Sequence, residues 1–266
     1  PRIPTNGTGR TVPRPIRRGI EFRDVTFAYP GTREPVLRGL DLTITPGQTI
    51  ALVGANGAGK TTIVKLLTRL YDPDAGQVLL DGVDLREYDV ADVRRQIGAI
   101  FQDFVQYHAT ASDNIGYGSL PDKDNRPRVI AAARRGGADQ LIEGLPKQYD
   151  TTLGRWWGDG TELSGGEWQK IALARGYMRE AQLLILDEPT ASLDARAEYE
   201  VFQRFRELTH SRMAVLISHR FSTVRLADHI YVIEDGRISE HGSHTELLAR
   251  NGTYAALFNL QAQAYR

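Results

Sequence analysis

The stretch Gly54-Ala-Asn-Gly-Ala-Gly-Lys-Thr61 matches the pattern G-x-x-x-x-G-K-[ST]. It follows Thr49-Ile-Ala-Leu-Val53, a short apolar run typical of a strand buried on both faces of a parallel sheet. After the stretch, apolar residues recur at helical spacing from Ile63 to Leu70. In that setting the backbone N–H groups of a glycine loop can wrap a polyphosphate. The stretch therefore predicts a phosphate-binding loop, and the alternative is an ordinary glycine-rich turn.

Two more runs have the pattern of buried strands, Leu183-Leu-Ile-Leu186 and Ala214-Val-Leu-Ile217. Helical or loop sequence separates them from their neighbours, as crossover connections between parallel strands require. Upstream, apolar residues alternate with polar ones from Ile20 to Ile44, which is typical of antiparallel strands. We therefore predict an α/β fold whose mostly parallel sheet is accompanied by an antiparallel β lobe.

The rest of the chain has helical or hairpin patterns. No buried-strand pattern lies between Gln102 and Glu180, whereas Arg128 to Arg135 and Glu167 to Met178 have helical spacing, so residues 103 to 180 are predicted to form an inserted helical sub-lobe. Asp235-Gly236 is a favoured hairpin turn between two strand patterns. Two closing helices are predicted, at Thr245 to Arg250 and Thr253 to Gln263.

Composition limits the possible partners. Among 266 residues, Lys and Arg total 33 and Asp and Glu total 33, so net charge does not favour a nucleic-acid partner. Without cysteine there is no disulfide, thiolate metal site or cysteine nucleophile. No run approaches the roughly 18 to 20 apolar residues of a spanning helix. Residues 1 to 19 are rich in Pro, Gly and Arg and are predicted to be a linker from a larger chain or a solvated basic tail, before one domain over residues 20 to 263.

Two carboxylates follow a predicted buried strand directly. Asp187 and Glu188 come after Leu186, at the strand end where open α/β sheets bind ligands. This position suits Asp187 for holding Mg²⁺ and Glu188 for orienting or deprotonating an attacking water. The alternative is that the pair caps the loop before Pro189.

A second glycine-rich segment opens a predicted helix. Ser164 and Glu167 have the spacing of a capping box, which explains those two side chains structurally. It does not explain Gly165 and Gly166, because glycine in a helix costs about 1 kcal/mol relative to alanine. Bare backbone at this helix start suits the close approach of a second phosphate group.

Taken together, these segments resemble the nucleotide-binding domain of an ABC transporter. The resemblance extends from Ile20 to Gln263, and it implies the P-loop NTPase fold of the ABC type with ATP and Mg²⁺ as cofactors. Its motifs stand in the family's order: Tyr29 in Phe27-Ala-Tyr-Pro30 (A-loop), Gly54 to Thr61 (Walker A), Gln102 (Q-loop), Leu163 to Glu167 (signature), Leu183 to Glu188 (Walker B), Ser192-Leu-Asp194 (D-loop) and His219 (switch histidine).

The resemblance also implies roles for these residues. The ATP-binding set is Tyr29, Gly54, Ala55, Asn56, Gly57, Ala58, Gly59, Lys60, Thr61, Thr62, Gln102 and His219. The metal set is Thr61, Gln102 and Asp187, and the catalytic set is Glu188, His219 and Gln102. A second domain would supply Ser164, Gly165, Gly166 and Glu167 to the same ATP, because ABC domains pair head to tail. Taken alone, Tyr29 could be a buried edge-strand tyrosine, Gln102 a loop glutamine and His219 a structural histidine.

Other segments are similar to exporters rather than importers, notably Ser112-Asp-Asn-Ile-Gly-Tyr-Gly118 and the run after Asp235. This likeness implies ATP hydrolysis at the cytoplasmic face of a membrane, with a transmembrane domain fused N-terminally and no nucleic-acid partner. The segment Thr151 to Gly160 departs from exporters, because Arg155 stands where a glutamate is expected. Its two tryptophans would contact the membrane part or anchor their own sub-lobe. The alternative functions are a soluble ABC ATPase acting on nucleic acid or ribosomes, and a non-hydrolysing binding module, against which Glu188 argues.

Overall fold

The computed structural model describes residues 3, 9–101, 104–154, 160–187, 203–218 and 220–264. The chain divides into two compact units. The first unit comprises Pro1–Ile97, Ala181–Glu188 and Ser211–Arg266, and the second comprises Gly98–Glu180 and Pro189–His210. Among the described residues, no helix combines the length and the apolar character needed to cross a membrane.

The smaller of two sheets in the described residues is antiparallel and belongs to the first unit. Its strand order is β2-β1-β4-β5. The predicted antiparallel lobe is thereby confirmed, although β4 and β5 were not predicted from the sequence. Apolar residues alternate into the core along β1, where Phe22 and Val25 are buried. The strands are β1 (Ile20–Phe27), β2 (Leu37–Ile44), β4 (Ala75–Leu80) and β5 (Val83–Asp84).

The larger sheet has the order β10-β9-β3-β8-β7-β6 in the described part of the chain. The pairs β3–β8, β3–β9 and β7–β8 are parallel, while β9 and β10 form an antiparallel hairpin around Asp235-Gly236. The mostly parallel core and the hairpin are as predicted, whereas β6 was missed. The strands are β3 (Thr49–Val53), β6 (Ile97–Ile100), β7 (Leu183–Asp187), β8 (Met213–Ile217), β9 (His229–Glu234) and β10 (Arg237–Gly242).

The described helices of the first unit connect or follow these strands. The two predicted closing helices are present, and the first of them begins with a capping box between Ser243 and Glu246. A short helix after β5 was not predicted, and its N-cap is Asp89, whose carboxylate accepts from the N–H of Asp92. The helices are α1 (Lys60–Leu67), α2 (Val90–Arg95), α7 (Phe221–Val224), α8 (His244–Arg250) and α9 (Thr253–Ala264).

The second unit is helical in its described residues after β6, as predicted for a helical sub-lobe, but it extends beyond the predicted residues 103 to 180, to Gly98–Glu180 and Pro189–His210. Between residues 104 and 180, the described part of the chain has only isolated β-bridges, such as Thr110 with Thr152. Residues 203–209 are also helical. Arg204 donates to the main-chain oxygen atom of Arg135, within the same unit. The other helices are α3 (Ala111–Gly116), α4 (Arg126–Gly136), α5 (Asp139–Glu143) and α6 (Gly165–Met178).

Residues 10–19 differ from the predicted linker or solvated tail, because they pack on the first unit. We call this segment the N-terminal strap. Val12 and Ile16 are only 4% and 5% exposed. The N–H of Ile16 donates to Oε1 of Gln182 at 2.7 Å, and Nε2 of Gln182 donates to the carbonyl oxygen of Pro13 at 2.9 Å. Composition did not predict this docking, since the acceptor side chains come from distant parts of the chain.

Asp92 is the most buried acceptor of the strap. Its carboxylate accepts from the N–H of Val12 at 2.6 Å and from Nη2 of Arg14 at 2.7 Å. Burial by itself would raise the pKa of Asp92, but the hydrogen bonds from Val12 and Arg95 and the nearby arginine charges outweigh it, so the pKa lies below its usual value. The ionised carboxylate therefore stabilises the docked strap.

We predict that Asp92→Asn lowers the free energy of unfolding by about 1 to 3 kcal/mol at neutral pH, because buried donors lose a charged acceptor. A carboxyl with a depressed folded pKa stabilises the protein above its unfolded pKa of about 3.9 and loses that contribution as the pH falls through the folded pKa. The difference between wild type and variant should therefore shrink below about pH 4. Urea unfolding measured across this pH range tests both effects.

The matched control is Asp124→Asn, which removes a carboxylate whose side chain is 80% exposed. We expect this change to cost less than about 1 kcal/mol at any pH, as for other surface ion pairs. Equal stability of the Asp92 variant and wild type at neutral pH would contradict the role given to the strap.

Candidate functional site

The predicted phosphate loop lies between β3 and α1 and has a conformation that requires glycine at two positions. Gly59 has φ of +113°, in the region that favours glycine, and precedes the first residue of α1. A Cβ on Gly54 would lie 2.4 Å from the carbonyl oxygen of Ile233, so β9 leaves no room for a side chain there. The loop therefore curls tightly at the N-terminus of α1, where backbone N–H groups lack partners within the helix.

Lys60 places a positive charge within this loop. Its side chain is buried, and Nζ donates to the carbonyl oxygen of Gly54 at 2.7 Å and to that of Ala55 at 2.9 Å. The ammonium group, the loop and the helix N-terminus together favour an anionic ligand. Thr61 is exposed beside Lys60, whereas Thr62 is buried.

Tyr29 lies close to the first turns of α1. Its hydroxyl is 3.0 Å from Oγ1 of Thr62 and accepts from Nζ of Lys65 at 3.2 Å. Phe27 and Tyr71 pack edge-on against its ring, with centroids 5.2 Å and 5.5 Å away. Tyr29 is half-buried and follows the end of β1, which disfavours the alternative of a buried edge-strand tyrosine.

The parallel strands bring the loop and Asp187 to the same edge of the larger sheet. Leu52 of β3 pairs with Ile217 of β8, and Ile217 pairs with Asp187 of β7. Neighbouring strands are about 4.8 Å apart, so Leu52 and Asp187 lie about 10 Å apart across this row. The phosphate loop begins two residues after Leu52, with Gly54.

The residues at this edge fit Mg²⁺. A phosphate-loop site holds the ion with a hydroxyl and one carboxylate, and substrate phosphates and water complete the shell. Thr61 and Asp187 are donors of that kind. The described residues contain no group of three or more His, Asp or Glu side chains suited to a metal. A site that depends on the phosphates of its ligand does not require such a group.

The predicted second phosphate-binding helix is α6, in the second unit. Ser164 is its N-cap, and the capping box is complete, because the N–H of Ser164 donates to Oε2 of Glu167 at 2.7 Å and the N–H of Glu167 donates to Oγ of Ser164 at 3.4 Å. Ser164 and Gly165 are exposed. A Cβ on Gly165 would meet no atom within 4 Å among the described residues beyond its own helix. Packing within the described chain therefore does not account for this glycine.

Several predicted residues lie outside the described part of the chain. They are Gln102, residues 155–159, Glu188, Ser192 to Asp194 and His219. Their positions in the chain are nevertheless informative, because Glu188 directly follows the end of β7, and His219 comes two residues after the end of β8.

Sequence reasoning missed the residues that form a cleft beside the first half of the phosphate loop. The cleft has a volume of about 720 Å³. The cleft is lined by Gly54 to Ala58 and by the β9–β10 turn. Its other lining residues include Val36 before β2, Arg38 within β2, and Thr253 and Leu257 of α9. Because these segments are far apart in the chain, no local pattern pointed to the cleft.

Comparisons with known proteins agree with this arrangement. The family model for "ABC transporter" matches residues 37–191. The "ATP-dependent lipid A-core flippase" of Syntrophus aciditrophicus is 46% identical over 246 residues, covering 92% of this chain and 40% of that protein. The protein of the same name from Escherichia coli K12 is 43% identical over 242 residues, covering 91% of this chain and 41% of that protein.

A solved structure is also similar, that of a bacterial Atm1-family ABC exporter with ATP bound. The TM-score is 0.86 at 37% sequence identity, and the match covers 97% of this chain and 43% of the exporter chain. The chain thus spans about two fifths of the length of the relatives it matches. With its phosphate loop, its row of parallel strand ends and these matches, the chain belongs to the ABC transporter family as an ATPase domain with the P-loop NTPase fold.

Proposed function

We propose that this chain is the motor domain of an ABC exporter, which binds ATP with Mg²⁺ between two such domains and hydrolyses it to drive transport across a membrane. The observation that carries the proposal is the row of strand ends at Leu52, Ile217 and Asp187, which brings a phosphate loop and a metal-binding carboxylate to one edge of a rigid sheet. The similarity to full-length exporters supports the coupling to transport.

In this proposal the first unit holds the nucleotide. Residues Gly54 to Thr62 receive the phosphates, and Lys60 exchanges its contacts with the loop carbonyls for contacts with the outer phosphates. The ring of Tyr29 stacks on adenine. Thr61, Gln102 and Asp187 would hold Mg²⁺, which would supply positive charge against the phosphates.

Hydrolysis is assigned to residues that follow the strand ends. Glu188 comes directly after Asp187, which suits it for orienting the attacking water and accepting its proton. His219, after β8, contacts the terminal phosphate, and Gln102 reaches the metal and the water. These three roles rest on position in the sequence and on the family resemblance.

A second domain completes each site. Ser164, Gly165, Gly166 and Glu167 from one domain face the phosphate loop of the other, so that twofold pairing gives two shared ATP molecules. The exposed start of α6 and the open space at Gly165 support this assignment. The pair is formed by two copies of this chain or by two different ABC domains.

We assign the transport step to the longer protein in which such a domain operates. The relatives are flippases and an exporter, and this chain matches about two fifths of each. We place the domain at the cytoplasmic face of the membrane, next to a transmembrane domain that precedes it in sequence. Recognition of the cargo is assigned to the part of those longer proteins that this chain does not match. No observation favours the alternative of action on nucleic acid or ribosomes.

We predict that Glu188→Gln keeps ATP binding but removes the group that activates water, so that the variant forms a stable dimer with ATP and turns over slowly. Loss of a general base typically costs 10² to 10⁴-fold in rate, so turnover should fall by at least about a hundredfold. Size-exclusion chromatography with and without ATP, together with phosphate release, measures both properties.

Glu180→Gln is the matched control, since it makes the same chemical change on a side chain that is 82% exposed. It should hydrolyse ATP at the wild-type rate. Undiminished hydrolysis by the Glu188 variant, or a monomer at saturating ATP, would refute the role of Glu188.

We also predict that Tyr29→Ala weakens ATP binding by about 1 to 3 kcal/mol, the usual loss for one base–aromatic stack. Tyr29→Phe is the control, because it keeps the ring and removes only the hydroxyl contacts with Thr62 and Lys65. Calorimetric titration with ATP should separate the two variants. If both bind as tightly as wild type, adenine does not stack on Tyr29.

A further inference from the structure

Two histidines face each other across the β9–β10 hairpin, at the end opposite its turn. His229 is the first residue of β9, and His241 lies near the end of β10. Nε2 of His229 is 3.2 Å from Nδ1 of His241, with the ring centroids 5.4 Å apart. His241 is exposed and His229 is half-buried, so the space in front of the two nitrogens is accessible to solvent.

The ring of Tyr231 packs against both histidine rings. Tyr231 is only 8% exposed, and its ring centroid lies 4.8 Å from that of His229 and 5.9 Å from that of His241. Its hydroxyl donates to the carbonyl oxygen of Thr43 at 3.0 Å and accepts from the N–H of Thr43 at 3.2 Å. The imidazoles thus lie on two paired strands and pack against a residue whose hydroxyl is held by two hydrogen bonds to Thr43, which limits the reorganisation needed to bind a ligand.

We propose that His229 and His241 form a binding site for a divalent transition-metal ion. An ion about 2.1 Å from each of two nitrogens that are 3.2 Å apart makes an angle of about 100° between them. This value lies between the octahedral and tetrahedral angles, so the separation of the two nitrogens suits a chelate once the ion replaces the proton of the hydrogen bond between them. No group of three or more possible ligands was found among the described residues. We expect water to complete the coordination shell of this two-residue site.

Imidazole nitrogen selects the class of ion. It suits Zn²⁺, Cu²⁺ and Ni²⁺, whereas Mg²⁺ prefers oxygen ligands, so the ion that accompanies ATP does not compete for this site. Thr61 and Asp187 offer hydroxyl and carboxylate oxygens instead, and the nucleotide would add its phosphates. The histidine pair is therefore a separate site, independent of hydrolysis.

The charges around the pair permit metal binding at neutral pH. Burial and the neighbouring His241 lower the pKa of His229 below its usual value, and the carboxylate of Glu246 opposes this effect. Arg250 donates to the main-chain oxygen of His241, so one acid and one base border the pair. Neutral imidazole is the form that binds metal, so protons compete with the ion for the two nitrogens. Affinity should therefore fall on acidification.

Isothermal titration with Ni²⁺ alone, on the nucleotide-free chain, tests the proposal. At pH 7.5 wild type should bind one equivalent through the pair. His241→Gln and His229→Gln should each weaken that binding by at least tenfold, since loss of even an outer partner of a metal ligand costs about 10 to 100-fold. At pH 5.5 the wild-type affinity should be lower than at pH 7.5, because protons compete with the ion for imidazole nitrogen.

His210→Gln is the matched control, because His210 is an exposed histidine outside the hairpin. It should bind Ni²⁺ like wild type. The exposed position of His241 makes its substitution compatible with folding, which circular dichroism can verify. The proposal is overturned if wild type binds no Ni²⁺ at pH 7.5, if neither hairpin variant weakens binding, or if the His210 variant weakens it as much as they do.

Discussion

The parallel pairing of β3 with β8 and of β8 with β7 is the constraint on which the site depends. Parallel strands in register end at the same edge of a sheet, so the pairing places both Asp187 and the start of the phosphate loop at that edge. Both faces of these strands are covered, and nearly all their residues are buried. A one-residue slip of β7 would turn Asp187 to the other face of the sheet and separate it from the loop.

The sheet of the first unit positions only some of the residues of the proposed site. The nucleotide-holding groups belong to the first unit, whereas Ser164 and the glycines after it belong to the second. The capping box satisfies the side chains of Ser164 and Glu167, yet the exposed glycine at the start of α6 remains without a packing role in the described chain. In the proposed pairing, a phosphate group of a nucleotide held by another domain would occupy this helix start.

The sequence predicted those elements whose characteristic pattern lies entirely within one short segment. The buried runs of β3, β7 and β8, the Asp235-Gly236 turn and the α6 capping box are of this kind. The strand β4 was missed because it begins with Ala75-Gly-Gln77, which has no apolar alternation. Docking of the N-terminal strap was missed because its acceptors, including Asp92, are far away in the chain. The pairing of His229 with His241 likewise depends on a strand register that the sequence did not specify.

The shared site is the central claim, and mixing two inactive variants tests it most directly. Lys60→Met removes the charge at the outer phosphates, and Ser164→Arg blocks the start of α6, so either variant alone should be inactive. In a mixed dimer, one site combines an intact Lys60 with an intact Ser164 and the other carries both changes. ATP hydrolysis should therefore partly return on mixing. If native gels show that mixed ATP-bound dimers form and hydrolysis stays absent, the two residues do not complete an independent site across the dimer.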